Sequence, residues 1–200
     1  EGLEKKINEK GGNNLIYKSE DFKEDFINAL KLDLQYIKHL VDEWSKIDYD
    51  PKLEKFLVDI KKEFLSKKIN HSGKLVVFSE SKETIKYIEK QLNENGYKKT
   101  LSISAENRKD KEETIRLNFD ANQDEKDWEN KYDLILTTEV LAEGINLHRS
   151  NVIINYDVPW NSTRLMQRIG RVNRIGTKAD FINIYNFYPS DKSENQIKLT

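Results

Sequence analysis

Five short apolar runs in the second part of the chain constrain its fold more than any other feature. They are rich in β-branched residues, and helical or polar stretches separate most of them. Strands of this kind alternating with helices are typical of a parallel sheet that is covered on both faces. The strands are predicted over 75–78, 101–103, 134–136, 152–154 and 181–187. The helices between them are predicted over 82–95, 109–120, 139–142 and 162–174.

The first part of the chain has apolar residues at helical spacing instead. From Asp21 onward this spacing predicts a long amphipathic helix that ends before Asp50. Asp50 and Pro51 look like an N-cap followed by proline at the first helical position, so a second helix should follow. Its apolar face either binds a partner or packs in the core, and we predict core packing. We expect residues 1–70 to form a loosely ordered lead-in (1–20) and a helical arm, and 71–200 to form the α/β domain.

Composition excludes several classes of function. The chain has no cysteine, which excludes disulfides, thiolate chemistry and a Cys-based zinc site. Its three histidines lack ligand spacing, so we predict no metal held by side chains alone. The net charge of −1 means that any binding to nucleic acid must come from a local patch. With no membrane-length apolar run and no signal peptide, we expect a cytoplasmic protein away from membranes. Because the chain begins at Glu1 without Met, we expect it to be part of a longer protein.

A run of arginines with no acidic residue near it lies between positions 164 and 176. Arg164, Arg168, Arg171 and Arg174 recur at steps of three or four, which predicts a ridge on one side of a helix. No Asp or Glu occurs between positions 157 and 180, although 34% of the chain is charged. Guanidinium groups that lack a local counterion favour an anionic ligand, and their planar shape suits phosphate. The alternative is a basic, solvated helix without a ligand.

Polar residues follow the predicted strands where ligands collect in open parallel sheets, beyond the carboxyl ends. Ser79, Ser104, Thr138 and Asp157 stand at these ends. Gly144 lies in the loop after the third strand, where glycine either lets the backbone approach a ligand or simply ends a helical turn. No glycine-rich phosphate loop of either common pattern is present. The chain therefore looks like half of a composite phosphate site.

The stretch 75–187 resembles the second RecA-like lobe of superfamily-two helicases and translocases, and within them the Swi/Snf-like branch. The run 75–80, Leu-Val-Val-Phe-Ser-Glu, resembles motif IV, and 138–147 resembles motif V. The linker 155–161 and the run 167–176, Gln-Arg-Ile-Gly-Arg-Val-Asn-Arg-Ile-Gly, resemble the approach to motif VI and motif VI itself. The resemblance covers just over half of the chain. It implies a RecA-like parallel sheet flanked by helices, preceded by an N-terminal helical segment.

The resemblance assigns five residues to the nucleotide side of the lobe. It implies that Arg171 and Arg174 are arginine fingers, which reach the γ-phosphate of ATP held by the other lobe. Gln167 would link the nucleotide state to closure of the lobes. Gly144 and Asn146 would line the nucleotide side of the cleft.

Other residues are assigned to the nucleic-acid side or to the frame. The resemblance implies that Ser79, Ser104 and Thr138 contact the nucleic-acid backbone. We expect Arg168 to brace motif V rather than to touch a ligand. We predict that Trp160 packs under the motif VI helix rather than stacking on a base.

The resemblance thus implies the C-terminal motor lobe of an ATP-dependent helicase or translocase, acting on DNA rather than RNA. ATP and Mg²⁺ would be bound mainly by an N-terminal RecA-like lobe of the same parent chain, so this part alone should hydrolyse nothing. A second hypothesis is a degenerate RecA-like lobe that binds nucleic acid or serves as a scaffold without ATPase activity. A third, an unrelated flavodoxin-like or dinucleotide-binding domain, lacks the expected glycine-rich loop after its first strand.

Overall fold

The computed structural model of the chain describes residues 17–142 and 144–188 and divides it into two compact units between Asp50 and Pro51. In the first unit, a 3₁₀ turn (Ser19–Asp21) precedes helix α1 (Glu24–Ser45). The predicted long amphipathic helix is thereby confirmed, and its apolar side chains are largely exposed. Most of the predicted lead-in over 1–20 lies outside the described residues. Within these residues, no helix has both the length and the apolar character needed to cross a bilayer.

The second unit contains the alternating strands and helices that the sequence predicts. Its elements are α2 (Pro51–Asp59), β1 (Leu75–Phe78), α3 (Lys82–Glu94), β2 (Thr100–Ile103), α4 (Glu112–Phe119), β3 (Leu134–Thr137), β4 (Val152–Asn155), α5 (Ser162–Val172) and β5 (Asn183–Asn186). A π-helical turn, Ile60–Phe64, extends α2. The helix predicted over 139–142 is only a 3₁₀ turn, Glu139–Leu141. Helix α5 ends at Val172, two residues earlier than predicted, so Arg174 lies outside it.

All five strands run parallel in the order β2-β3-β1-β4-β5. Leu75 at the start of β1 lies opposite Leu134 in β3 and Val152 in β4. Because the strands share one direction and start in register, their carboxyl ends meet at a single edge of the sheet. This edge, which we call the strand-end edge, carries the polar residues singled out from the sequence.

The sheet is packed on both faces, which explains why its strands read as continuous apolar runs. Val77 points to one face, where it joins a cluster with Phe56 of α2 and Ile88 of α3. Val76 points to the other face and joins a cluster with Ile115 of α4. The predicted α/β architecture, a parallel sheet flanked by helices, is confirmed.

Helix α2 corrects the predicted domain boundary at residue 70. Leu53, Phe56, Ile60 and Phe64 are buried in the same cluster as the strand residues. The prediction that these apolar side chains pack in a core is therefore confirmed, but that core is the core of the sheet. Helical periodicity identifies a face that must be covered and not the element that covers it, so the boundary was placed too late.

We expect Phe56→Ala to lower the free energy of unfolding by about 3–5 kcal/mol, the usual cost of truncating a buried aromatic ring. Phe56 is fully buried, and its ring centroid lies 5.4 Å from that of Tyr156. Val58→Ala is the matched control, because Val58 lies on the same helix and is 45% exposed; its cost should stay within about 0.5 kcal/mol. Urea denaturation measures both changes, and equal small costs would contradict the packing of α2 on the sheet.

Candidate functional site

A fully buried arginine, Arg168, occupies the centre of the strand-end edge. Its Nε donates to Glu139 Oε1 at 2.8 Å, and its Nη2 donates to the same oxygen and to Glu80 Oε1 at 3.0 Å. Its Nη1 donates to Asn155 Oδ1 and to the Asp157 carbonyl oxygen, both at 2.9 Å. An arginine has five N–H donors, so every one of them is used. The guanidinium joins α5 to the ends of β1, β3 and β4.

This arrangement agrees with the expectation that Arg168 braces the motif V stretch, since Glu139 belongs to it. Burying a guanidinium is expensive unless its charge is paired and its donors are satisfied. The carboxylates of Glu80 and Glu139 provide that charge, and the guanidinium also lies 5.1 Å from the centre of the Phe78 ring.

The predicted ridge of four equivalent arginines is wrong. Arg168 is buried, and Arg164 is exposed with Nη1 3.6 Å from Glu80 Oε2. Arg171 is half-buried near the end of α5, and Arg174 lies exposed beyond it. The missing counterions for Arg164 and Arg168 come from carboxylates distant in sequence, which local spacing does not reveal. Within the described ranges, Arg171 and Arg174 form no ion pair with a carboxylate.

The two unpaired arginines lie against the loop that follows β3. The backbone N–H of Leu147 donates to the carbonyl oxygen of Arg171 at 2.8 Å. Arg174 Nη1 donates to Asn146 Oδ1, and Asn146 Nδ2 donates to Asp120 Oδ2 at 3.4 Å. Asp120 thus orients the amide of Asn146 so that its oxygen faces Arg174. Sequence reasoning singled out Asn146, Arg171 and Arg174, and missed Asp120.

Two further predicted site residues, Gly144 and Gln167, are close in sequence to Asn146 and Arg171. Gly144 has φ of +84°, and a Cβ there would lie 2.6 Å from Arg108 Nη2. Both the backbone conformation and the close approach therefore favour glycine. Gln167 is half-buried on α5, one helical turn before Arg171.

An open depression of about 400 Å³ lies at the other part of the strand-end edge. Ser104 and Thr138, two of the predicted nucleic-acid contacts, line it. Its charged lining residues are Glu80, Glu106, Glu139, Lys82 and Arg164. Glu106 accepts a hydrogen bond from Lys82 at 2.8 Å and raises the pKa of that lysine. Carboxylates outnumber cations here, so an anionic strand would be held by hydroxyl and backbone groups rather than by net charge.

Ser79, the third predicted contact, is not exposed in this depression. It is fully buried, and its hydroxyl donates to the Asp157 carboxylate. The prediction that Ser79 contacts a ligand is therefore not supported by its position. The tendency of ligands to collect beyond strand ends correctly places Ser79 at this edge. Its side chain, however, turns toward the Asp157 carboxylate.

Asp157 is the acceptor of a small network that sequence reasoning missed. Lys52 of α2 donates to Asp157 Oδ1 at 2.7 Å, and the backbone N–H of Glu80 donates to Oδ2 at 3.3 Å. Burial by itself raises the pKa of Asp157, but hydrogen bonds from Lys52 and Ser79 outweigh it and hold the pKa below the ordinary 3.8. Lys52 lies 105 positions from Asp157 in sequence, so no local pattern links them.

Trp160 corrects another prediction. Its side chain is 71% exposed and does not pack under α5. The helix begins at Ser162, where the Asn161 side chain accepts from the Thr163 backbone N–H at 2.8 Å. Arg168 and Val172 occupy the inner face of α5, which leaves the indole in solvent.

Across the described ranges, no group of three or more His, Cys, Asp or Glu side chains has the arrangement that a metal ion needs.

Comparison with known proteins identifies relatives of the chain. Residues 56–176 match the family model described as helicase conserved C-terminal domain. An uncharacterized ATP-dependent helicase of Bacillus subtilis, YqhH, is 35% identical over 138 residues, which cover 66% of this chain and 22% of that protein. The ATP-dependent RNA helicase DBP2 of Eremothecium gossypii is 27% identical over 166 residues, or 80% of this chain and 26% of that protein. The chain thus spans about a quarter of the length of these relatives.

A solved structure, the C-terminal part of the Fun30 ATPase domain, has the same fold. It superposes with a TM-score of 0.55 at 19% identity, over 86% of this chain and 52% of that one. At this identity the likeness concerns the fold alone, and it confirms the predicted RecA-like α/β architecture.

We expect Arg168→Met to lower the free energy of unfolding by about 3–5 kcal/mol, because it leaves the Glu80 and Glu139 carboxylates without their buried partner. Arg164→Met is the control, since an exposed ion pair contributes less than about 1 kcal/mol. Chemical denaturation of both variants measures the difference. Similar costs for the two substitutions would contradict the central position of the Arg168 guanidinium.

The lowered pKa of Asp157 predicts a pH dependence of stability. Its carboxylate binds protons less readily in the folded chain, so its stabilising effect is complete above its ordinary pKa of 3.8 and disappears as pH falls through the lower folded value. The stability difference between wild type and Asp157→Asn should therefore shrink below about pH 4. Lys52→Met should weaken this dependence. Urea midpoints from pH 3 to 7 test it, and a difference that grows on acidification would contradict it.

Proposed function

Because the chain belongs to the helicase conserved C-terminal domain family, we propose that it is the C-terminal motor lobe of an ATP-dependent helicase or translocase. The finer assignment is to the Swi/Snf-like branch, with DNA as the track. In this proposal a second, N-terminal lobe of the parent protein binds ATP and Mg²⁺, and the two lobes share one site. The cytoplasmic location remains a prediction from the sequence.

The observation that carries the proposal is the pair of unpaired guanidiniums at the end of α5. Of the four arginines between positions 164 and 174, Arg164 and Arg168 have carboxylate partners, whereas Arg171 and Arg174 form no ion pair within the described chain. Arg174 donates to an uncharged amide oxygen, that of Asn146. Two cations left without counterions at one end of a helix are suited to a polyphosphate that arrives from outside the lobe.

In the proposed reaction, these arginines stabilise charge on the phosphate that is transferred to water. ATP supplies the phosphoanhydride bond that breaks. Arg171 and Arg174 act as donors to the phosphate oxygens as negative charge develops, an effect worth about 10³–10⁵ in rate in other nucleotide hydrolases. Asn146 and Asp120 position Arg174. Gly144 is proposed to lie near the nucleotide, and its positive φ and the close approach of Arg108 Nη2 both favour glycine there.

The proposed nucleic-acid track runs along the depression that Ser104 and Thr138 line. Contacts through hydroxyl and backbone groups suit a sequence-independent motor, since phosphate contacts position a strand without reading its bases. The DNA assignment rests on the resemblance to the Swi/Snf-like branch, whereas DBP2 is by name an RNA helicase. We expect this chain alone to bind nucleic acid weakly and with strong salt dependence, and to hydrolyse no ATP.

One observation favours the alternative of a scaffolding lobe without ATPase activity. Three carboxylates and two cations line the depression, which is an unusual balance for a surface that holds a polyanion. This alternative makes no use of Arg171 and Arg174, so an activity measurement separates the two proposals.

We expect Arg174→Ala in the parent protein to lower the rate of ATP hydrolysis by about 10³–10⁵ while the fold is retained. Arg116→Ala is the matched control, because Arg116 is exposed and pairs only with Glu112 on its own helix. Hydrolysis is measured with duplex DNA, single-stranded DNA and RNA, and the polymer that stimulates it is the track. Normal turnover in Arg174→Ala would refute the arginine finger, and a folded parent that hydrolyses no ATP would support the scaffold.

A further inference from the structure

A small cavity lies at the edge of the sheet opposite the strand-end edge. Its lining includes His71, just before β1, Arg149 and Ser150, just before β4, and Lys178, before β5. Its volume is about 130 Å³. In liquid water each molecule occupies roughly 30 Å³, so there is room for a few small groups. Pockets for nucleotide-sized ligands measure about 300–1,000 Å³, which excludes a nucleotide from this one.

Two buried polar side chains on the cavity wall have no hydrogen-bond partner within the described ranges. They are His148, which is 2% exposed and whose two ring nitrogens are both unbonded, and Ser150, which is 1% exposed and whose hydroxyl is unbonded. Buried polar atoms are nearly always paired, so each such exception calls for a partner. A ligand with oxygen atoms would provide an acceptor for the Ser150 hydroxyl, whereas the ring of His148 has Asp120 Oδ1 at 3.5 Å from its Nδ1.

The charge of the lining indicates which ligand this is. Arg149 is only 9% exposed, and its guanidinium donates to the carbonyl oxygens of Leu117 and Glu129 and to Asn130 Oδ1. It also lies 4.2 Å from the centre of the Trp128 ring, so its position is fixed. All of these partners are uncharged groups. A nearly buried cation that has only neutral partners favours an anion nearby.

The remaining lining residues strengthen this preference. Lys178 pairs with Glu125 at 2.7 Å, but both side chains are 67% exposed, and such a pair is easily exchanged for another anion. No Asp or Glu is among the residues that line the cavity. Water alone would satisfy His148 and Ser150, but it would leave the charge of Arg149 unbalanced.

From these observations we propose that the cavity binds a single small oxyanion of the phosphate class. The anion accepts hydrogen bonds from Ser150 and from the cationic side chains of Arg149 and Lys178. This site is separate from the proposed nucleotide side, because it lies before the strands rather than after them. His148 lines the cavity and separates it from Asp120. Asp120 Oδ1 lies 3.5 Å from Nδ1 of the His148 ring.

The test is binding of inorganic phosphate to the 200-residue chain, measured as the rise in urea midpoint with phosphate concentration. Sodium chloride at equal ionic strength separates binding from screening. We expect a saturable rise with phosphate, and a Kd raised at least about tenfold in Ser150→Ala and in Lys178→Ala, since a charge-assisted hydrogen bond is worth more than a factor of ten. Lys90→Ala, an exposed lysine on α3, is the control and should leave the Kd unchanged.

Two further arms identify the source of the phosphate group. A saturable rise that persists in Arg174→Ala places the anion in the cavity, whereas a rise that this substitution abolishes places it at the proposed nucleotide side and overturns the proposal. A short single-stranded oligonucleotide should not compete, because the cavity admits only a free oxyanion. The proposal is overturned if phosphate stabilises no more than chloride, if Ser150→Ala and Lys178→Ala keep the wild-type Kd, or if the oligonucleotide displaces phosphate.

Discussion

The Arg168 guanidinium determines how the strand-end edge is built. A buried positive charge is tolerable only when every donor is satisfied and its charge is balanced, and this requires acceptors from three strands at once. Because the arginine is in the middle of α5, the same contacts fix the rotation and the distance of that helix. Arg171 is three residues further along, on the same side of the helix but closer to its end. The position of the proposed fingers thus depends on a residue that touches no ligand.

A second polar network supports the same edge from below. Asp157 links the end of β4 to Ser79 in the segment after β1 and to Lys52 on α2. Lys52 Nζ also lies 4.2 Å from the centre of the Tyr156 ring, so the ammonium group interacts with both the carboxylate and the ring. Together the two networks bind the polar residues at the strand ends into a rigid frame. Any ligand of this edge would therefore be recognised by side chains outside this frame.

The sequence was sufficient for the sheet, and it singled out Asn146 and Arg174, which the structure places in contact. Continuous apolar runs located β1, β3 and β4, because burial on both faces leaves no alternation to misread. The loop at Asn146 and the arginines at positions 171 and 174 were identified from motifs in which neighbouring residues act together. The predictions that the structure corrects concern contacts between positions that are distant in sequence. Helical spacing shows that Arg164 and Arg168 lie close together, but not that carboxylates in the segments after β1 and β3 neutralise them.

Contacts between distant positions also explain why the sequence did not show the buried position of Ser79 or the packing of α2 on the sheet. A hydroxyl after a strand looks the same in sequence whether it faces a ligand or turns to a buried carboxylate. An apolar helical face likewise looks the same whether it covers this sheet or another surface. The partner of Ser79 lies 78 positions away in the chain, and that of Lys52 on α2 lies 105 positions away.

Arg171 at the end of α5 and Arg174 beyond it differ in the side-chain entropy that ligand binding would cost. Arg171 is half-buried on the helix, and its Nε is buried, so less rotational freedom of the side chain remains to be lost there. Arg174 is exposed beyond the helix, and ordering such a side chain costs about 1.5–2 kcal/mol. The hydrogen bond to Asn146 already restricts it before any ligand arrives. Arg171 is thus preorganised by its burial, and Arg174 by one hydrogen bond to the Asn146 amide. The strength of that hydrogen bond sets how readily Arg174 is released.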